Sequence, residues 1–233
     1  MSRHGRLLSC VEVEPERPAN ATVIWLHGLG ADGHDFEPIV PYLGLAPGVD
    51  ARFVFPHAPN RPVTVNGGAI MPAWYDIRAV ALQREIDESG VLESTEQVVA
   101  LIARERDRGI EPDRLVLAGF SQGGAIALHG ALRHPDRLAG VIALSTYLVR
   151  EETLDSERSE VNRDLPVFQA HGTLDPMVPL QNGEHARDRL TELGHPLEWK
   201  TYSMGHEVHP EEIRDVGSAL NGWLIRPKLT RLV

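Results

Sequence analysis

Ser121 stands in Gly119-Phe120-Ser121-Gln122-Gly123, a G-x-S-x-G arrangement. A serine hydroxyl attacks a carbonyl only when a neighbouring base takes its proton. The bare pattern is short and carries little alone. Its surroundings carry more: it follows the apolar run RLVLAGF (114–120) and opens the small-residue run QGGAIALHGALR (122–133). A sharp strand-to-helix turn at that place lifts the hydroxyl clear of a sheet. Flanking glycines allow neighbouring chains to approach, and the free N–H groups of a helix start face a developing oxyanion. The competing reading is a Gly-rich strand-to-helix turn with a capping serine.

The serine needs a base and a carboxylate to orient it. Eleven histidines are available. Active groups of an open parallel sheet gather at the carboxyl ends of its strands, and that filter keeps His27, His57, His171 and His206. His206 follows the last strand-like run across Tyr202-Ser203-Met204-Gly205, a loop able to reach back over the sheet. His209, beside Pro210, is the alternative base. For the carboxylate, Asp175 in His171-Gly172-Thr173-Leu174-Asp175-Pro176 comes straight after the run LPVFQAH. Pro176 biases it away from helix; an Asx turn before a proline is the structural alternative. The chain order Ser121, Asp175, His206 is that of α/β-hydrolases, whereas Asp32 and Asp35 precede the serine and fit poorly. His27-Gly28-Leu29-Gly30 offers a flexible turn after ATVIWLH, so the N–H groups of Leu29 and Gln122 are the expected oxyanion donors. A plain Gly-rich loop is the other reading, with His27 supporting it. No H-E-x-x-H or paired histidine spacing suggests a metal.

These residues require a frame. The runs at 21–27, 51–57, 114–120, 140–146, 165–171 and 197–203 read as strands, several without alternation, as strands buried on both faces are. Residues 7–13 alternate and read as an outer strand. Residues 94–108 open with Ser94 and place Gln97 three positions on, which predicts a capping box; Gly109 ends that helix. Further helices are expected at 122–133, 183–193 and 210–224, the last with Pro210 first and Glu211 and Glu212 in its opening turn. Alternating strands and helices imply a mostly parallel sheet covered on both faces. Residues 58–78 read as a long surface loop of functional interest, and 147–164 as a short, charged, solvated excursion.

Composition narrows the classes. The chain has 233 residues, expected to form one domain over 1–233. With 23 basic against 33 acidic residues, its net charge is −10. That charge disfavours nucleic acid and stable association with anionic membranes. A single cysteine, Cys10, rules out an intrachain disulfide and suits a reducing cytoplasm. MSRHGRLLSC lacks the apolar stretch of a secretory signal, so a cytoplasmic location is expected.

LHGLGADG at 26–33, PVTVNGGAIMPAWYDI at 62–77, GFSQGGA at 119–125, HGTLDPMVP at 171–179 and MGHEVHPEEI at 204–213 occur in that order. Together they resemble the phospholipase/carboxylesterase family, which includes bacterial carboxylesterases and acyl-protein thioesterases, over about residues 20–224. The resemblance implies an α/β-hydrolase fold with a small lid and no large cap domain. It implies Ser121 as nucleophile, Asp175 as orienting acid, His206 as base, and Leu29 and Gln122 as oxyanion donors. It also implies that Ile70, Met71 and Trp74 border an acyl channel, although Trp74 would equally serve to anchor its loop. A small-molecule ester or thioester, or an acylated protein, is then the substrate, with no cofactor. Acyl transfer to an alcohol is the alternative reaction, and a non-catalytic binding protein the remote one. Apolar residues of the 58–78 loop would serve either an acyl pocket or a homodimer contact. The charged stretch 147–164 is longer and more polar than the family segment, and 226–233 has no counterpart.

Overall fold

The computed structural model describes residues 7–78 and 87–225; the expected tail 226–233 lies outside them. Seven strands form the central sheet: β1 (Cys10–Val13), β2 (Ala21–Leu26), β3 (Ala51–Pro56), β6 (Leu115–Phe120), β7 (Gly140–Leu144), β8 (Val167–Gly172) and β9 (Leu197–Tyr202). Their order is β1-β3-β2-β6-β7-β8-β9. Only β1 runs antiparallel, pairing Cys10 with Pro56; every other neighbouring pair is parallel. All residues of β2, β7 and β8 are buried, which explains why their sequences are near-continuous apolar runs rather than alternating ones. The edge strand β9 alternates and carries Glu198 and Lys200 outward, a common guard for an unpaired edge.

Apolar residues pack on both faces of this sheet. One face is covered by α1 (Glu88–Asp107), α2 (Gln122–Arg133) and α4 (Leu180–Glu192), the other by α5 (Pro210–Leu224) and a 3-10 turn at Glu37–Tyr42. Helix α2 is buried from Gln122 to Leu132, so its run of small residues is what lets it lie close to the strands. This is an α/β-hydrolase architecture, and no large cap domain is present among the described residues.

Three local expectations are corrected. Helix α1 begins at Glu88, not Ser94, because Val91 extends the buried stripe one turn earlier. Ser94 is therefore fully buried inside the helix, where its hydroxyl donates to the Trp74 carbonyl. The 58–78 segment is not an unstructured loop: β4 (Asn60–Val63) and β5 (Ala69–Pro72) form an antiparallel hairpin, with Val63 opposite Ala69. Its Gly-Gly pair, Gly67 and Gly68, takes the two positive-φ positions of the turn (φ 68° and 78°), a conformation that costs other residues more.

The third correction concerns 147–164, which is charged and largely exposed as expected but is also laced to the body. It contains one α-helical turn, α3 (Leu154–Glu157), between two 3-10 turns at Glu151–Thr153 and Glu160–Asn162, and buries Tyr147, Val149, Leu154 and Asn162. The Asn162 side chain accepts from Leu138 N–H and donates to the His134 and Asp136 carbonyls. Arg133 of α2 pairs with Glu157 at 2.7 Å and Arg189 of α4 with Asp155 at 2.6 Å. Its many charges are thus mostly cross-links, which hydropathy alone reads as exposure.

Candidate active site

The junction of β6 and α2 places Ser121 at φ 54° and ψ −120°, outside the region non-glycine residues normally occupy. Such backbone costs on the order of 1–3 kcal/mol and persists only where the surroundings over-determine it. Here they do. Ser121 N–H donates to the Leu144 carbonyl at 2.8 Å, and its own carbonyl accepts from Thr146 Oγ1 at 2.6 Å. The end of strand β7 and the turn just after it therefore grip the residue by both backbone groups. A Cβ on Gly119 would stand 2.4 Å from Gly123, and one on Gly123 would stand 2.4 Å from the Leu26 and His27 carbonyls. The turn is consequently closed to any larger residue at either position.

Three chain segments meet above this turn. Ser121 Oγ lies 2.9 Å from His206 Nε2, and His206 Nδ1 lies 2.6 Å from Asp175 Oδ2. The last two come from the loops after β9 and β8, so all three occupy carboxyl ends of the parallel strands β6, β8 and β9. Asp175 is fixed in turn by its other oxygen, which accepts the N–H groups of Met177 and Val178 at 2.8 Å each. The Asx turn and the carboxylate role are therefore one arrangement rather than alternatives. Burial by itself would raise the Asp175 carboxyl, but the hydrogen bonds from His206 and from Val178 and Met177 outweigh it and hold the group below the ordinary carboxylate range. The Phe120 ring lies 4.7 Å from the His206 ring, centroid to centroid, tilted by 42°.

His209, the alternative base, has another occupation. Its Nδ1 accepts the Glu211 N–H and its own N–H donates to Glu212, closing a capping box on α5. The remaining histidines of the strand-end set divide as follows. His57 accepts the Gly33 N–H, and His171 is wholly buried behind Asp175. His27 Nε2 accepts the Ala58 N–H at 3.1 Å while Nδ1 donates to the Gly28 carbonyl at 2.7 Å. Burial lowers its pKa, in keeping with the neutral ring that this pairing requires.

The two expected oxyanion donors, Leu29 and Gln122, have N–H groups left free for another acceptor among the described residues. Gln122 is the first residue of α2, so its N–H has no acceptor within the helix. The Leu29 N–H makes no hydrogen bond among the described residues. The Gln122 side chain does something the sequence did not reveal. Its Oε1 accepts Trp74 N–H at 2.8 Å and its Nε2 donates to the Tyr75 carbonyl at 2.7 Å, clamping the base of the hairpin to the helix start. Trp74 Nε1 donates to the His27 carbonyl at 2.8 Å, and the Gly30 N–H to the Pro72 carbonyl at 2.9 Å. Hairpin, His27–Gly30 turn and helix start are thus one hydrogen-bonded unit.

Among the expected channel residues, Ile70 is 75% exposed and Met71 partly buried, whereas Trp74 has 0% exposure. Trp74 borders no open surface and instead fastens the hairpin, the second of the two roles its sequence allowed. Leu174 and Met177, on the loop carrying Asp175, are exposed apolar residues that sequence reasoning missed; their only sequence signal is their place on either side of Asp175-Pro176. No group of three or more His, Cys, Asp or Glu side chains is assembled for a metal among the described residues. No described helix is long and apolar enough to cross a membrane.

Comparison with known proteins agrees with this geometry. The phospholipase/carboxylesterase family profile matches residues 9–224. The chain belongs to the phospholipase/carboxylesterase family. Within it, the chain is similar to acyl-protein thioesterase 1 of Neurospora crassa, 43% identical over 83% of this chain and 82% of that one. The Arabidopsis thaliana SOBER1 crystal structure superimposes with a TM-score of 0.83 at 34% identity, covering 89% of this chain and 100% of that one. Acyl-protein thioesterase 2 of Zea mays gives 0.81 at 29% identity, covering 93% and 99%. As a member of the phospholipase/carboxylesterase family, the protein is a hydrolase of the carboxylesterase and thioesterase class.

Proposed function

We propose that the protein hydrolyses carboxylic esters and thioesters, acyl-protein thioesters among them, through an acyl-enzyme on Ser121. The observation carrying this reading is the unbroken line from Ser121 Oγ to His206 to Asp175, at 2.9 and 2.6 Å, on a backbone turn held out of its relaxed conformation. His206 Nε2 takes the proton as Ser121 Oγ bonds to the substrate carbonyl carbon. Asp175 keeps the His206 proton on Nδ1 and stabilises the imidazolium that forms. The Leu29 and Gln122 N–H groups receive the negative oxygen of the tetrahedral intermediate. His206 then protonates the departing alcohol or thiol, and water deprotonated by the same imidazole releases the acid. The names of the similar proteins support a thioester substrate.

A fluorophosphonate probe tests this directly. One equivalent should attach to Ser121 and stop both ester and thioester turnover, and Ser121→Ala should abolish labelling and activity together. Undiminished hydrolysis by folded Ser121→Ala protein would overturn the reading.

A further inference from the structure

Behind Asp175 lies a second imidazole that the mechanism above does not use. His171, the fifth residue of β8, has 0% exposure. Its Nε2 donates to the Val178 carbonyl at 2.9 Å and lies 3.7 Å from Asp175 Oδ2. Val178, itself buried, gives its N–H to Asp175 Oδ1 at 2.8 Å. One residue, Val178, is therefore held by both backbone groups, its N–H by the candidate acid and its carbonyl by His171. A chain of hydrogen bonds runs from His171 through Val178 and Asp175 to His206 and Ser121.

The packing around His171 admits one placement of the ring. A Cβ on Gly183 of α4 would stand 2.4 Å from His171 Nδ1, so the helix passes against the imidazole with no room for a side chain. Nδ1 has no hydrogen-bond partner among the described residues, which leaves Nε2 as the single atom by which the ring acts on its neighbours. Burial lowers the His171 pKa, and a neutral ring with its proton on Nε2 is the tautomer that the Val178 contact demands. Asp175 Oδ2, His206 and Glu184 are the charged or titratable groups nearest in effect.

We infer that His171 is a positioning residue for hydrolysis: its Nε2–H holds the Val178 carbonyl, and through it the turn that aims Asp175 at His206. A shift of about 1 Å in such a supporting turn is enough to cost on the order of a hundredfold in rate. His171 itself has no exposed surface with which to touch a substrate. The inference rests on the reading of Ser121, His206 and Asp175 given above.

Two amides discriminate it. In His171→Gln the side-chain nitrogen reaches the position of Nε2 and can still donate to Val178; in His171→Asn it reaches only that of Nδ1. The Asn protein should lose about ten- to a hundredfold in kcat with KM changed by less than about twofold. The downfield proton resonance of His206 Nδ1–H, identified by its loss in His206→Ala, should move or broaden. The Gln protein should keep most of the wild-type kcat and the wild-type resonance. Equal kcat for the two amides, or an unmoved resonance in the Asn protein accompanied only by a lower Tm, would overturn the inference. Should the Asn protein fail to fold, Gly183→Ala, which crowds the same ring from outside, must reproduce the fall in kcat at constant KM for the inference to stand. Fluorophosphonate labelling of the wild-type chain separates the two levels: without it the catalytic reading fails, whereas with it and equal amides only the role of His171 does.

Discussion

Two histidines three positions apart have different work because of what each nitrogen touches. His206 bridges Asp175 and Ser121, whereas His209 Nδ1 is engaged by the Glu211 N–H at the start of α5. His206→Ala should lower kcat by several orders of magnitude, leaving about 10³–10⁴ over water from the oxyanion donors and binding alone. His209→Ala should instead cost about 1 kcal/mol of stability as a lost cap with kcat little changed. Chemical denaturation and steady-state kinetics on both proteins check this; equal kinetic losses would reassign the base. Glu212 gives a pH prediction. It has no exposed surface, and burial pushes its carboxyl from 4.5 up to about 8. Between those values the folded chain keeps a proton that the unfolded chain releases, so this group's contribution to stability is full below pH 4.5 and is lost as pH rises to about 8. Glu212→Gln keeps an acceptor for the His209 N–H and cannot ionise. It should therefore raise Tm at pH 9 and change it little at pH 5, measured by thermal melts at both.

Elements explain which expectations from the sequence matched and which did not. Strands β2, β6, β7 and β8 were legible because burial on both faces leaves an apolar run that few other structures require. The start of α1 was misread because Ser94 and Gln97 mimic a cap, while Ser94 actually satisfies a carbonyl 20 residues earlier in sequence. The hairpin reads as a loop in sequence because β4 and β5 are short, include Pro62 and Pro72, residues that a central strand does not tolerate, and carry exposed residues. The positions of Ser121, Asp175 and His206 at strand ends followed from chain order; the Gln122 clamp did not, as its partners lie 47 and 48 residues away. The hairpin also yields a prediction. Trp74→Ala removes a fully buried ring and should cost about 3–5 kcal/mol while slowing acetate and medium-chain esters alike. Ile70→Ala, an exposed position of β5 close to the hairpin turn, should leave stability and acetate hydrolysis unchanged and reduce only the preference for longer chains. A kcat/KM series over acyl length on both proteins distinguishes the two positions.

At the scale of the molecule, no large cap domain covers the carboxyl edge of the sheet among the described residues. The hairpin is fastened there through Gln122, and the 147–164 segment is tied to α2 and α4. Each methylene of a bound chain adds at most about 0.8 kcal/mol, near fourfold in kcat/KM, and only while apolar surface is there to receive it. Rates should therefore climb over short acyl chains and level off at medium length, and triglyceride emulsions should be poor substrates; a continued rise to palmitoyl esters would show a deeper groove than this surface offers. The Gln122 clamp adds a consequence for how such an enzyme can diverge. The residue proposed to supply an oxyanion N–H also anchors the root of the hairpin, so changes near Trp74 are expected to reach the rate and the groove together. The turn end of the hairpin, with Ile70 close to it, has no such tie. Substrate range can drift there without disturbing the chemistry, and a laboratory library meant to alter chain preference should be confined to that end.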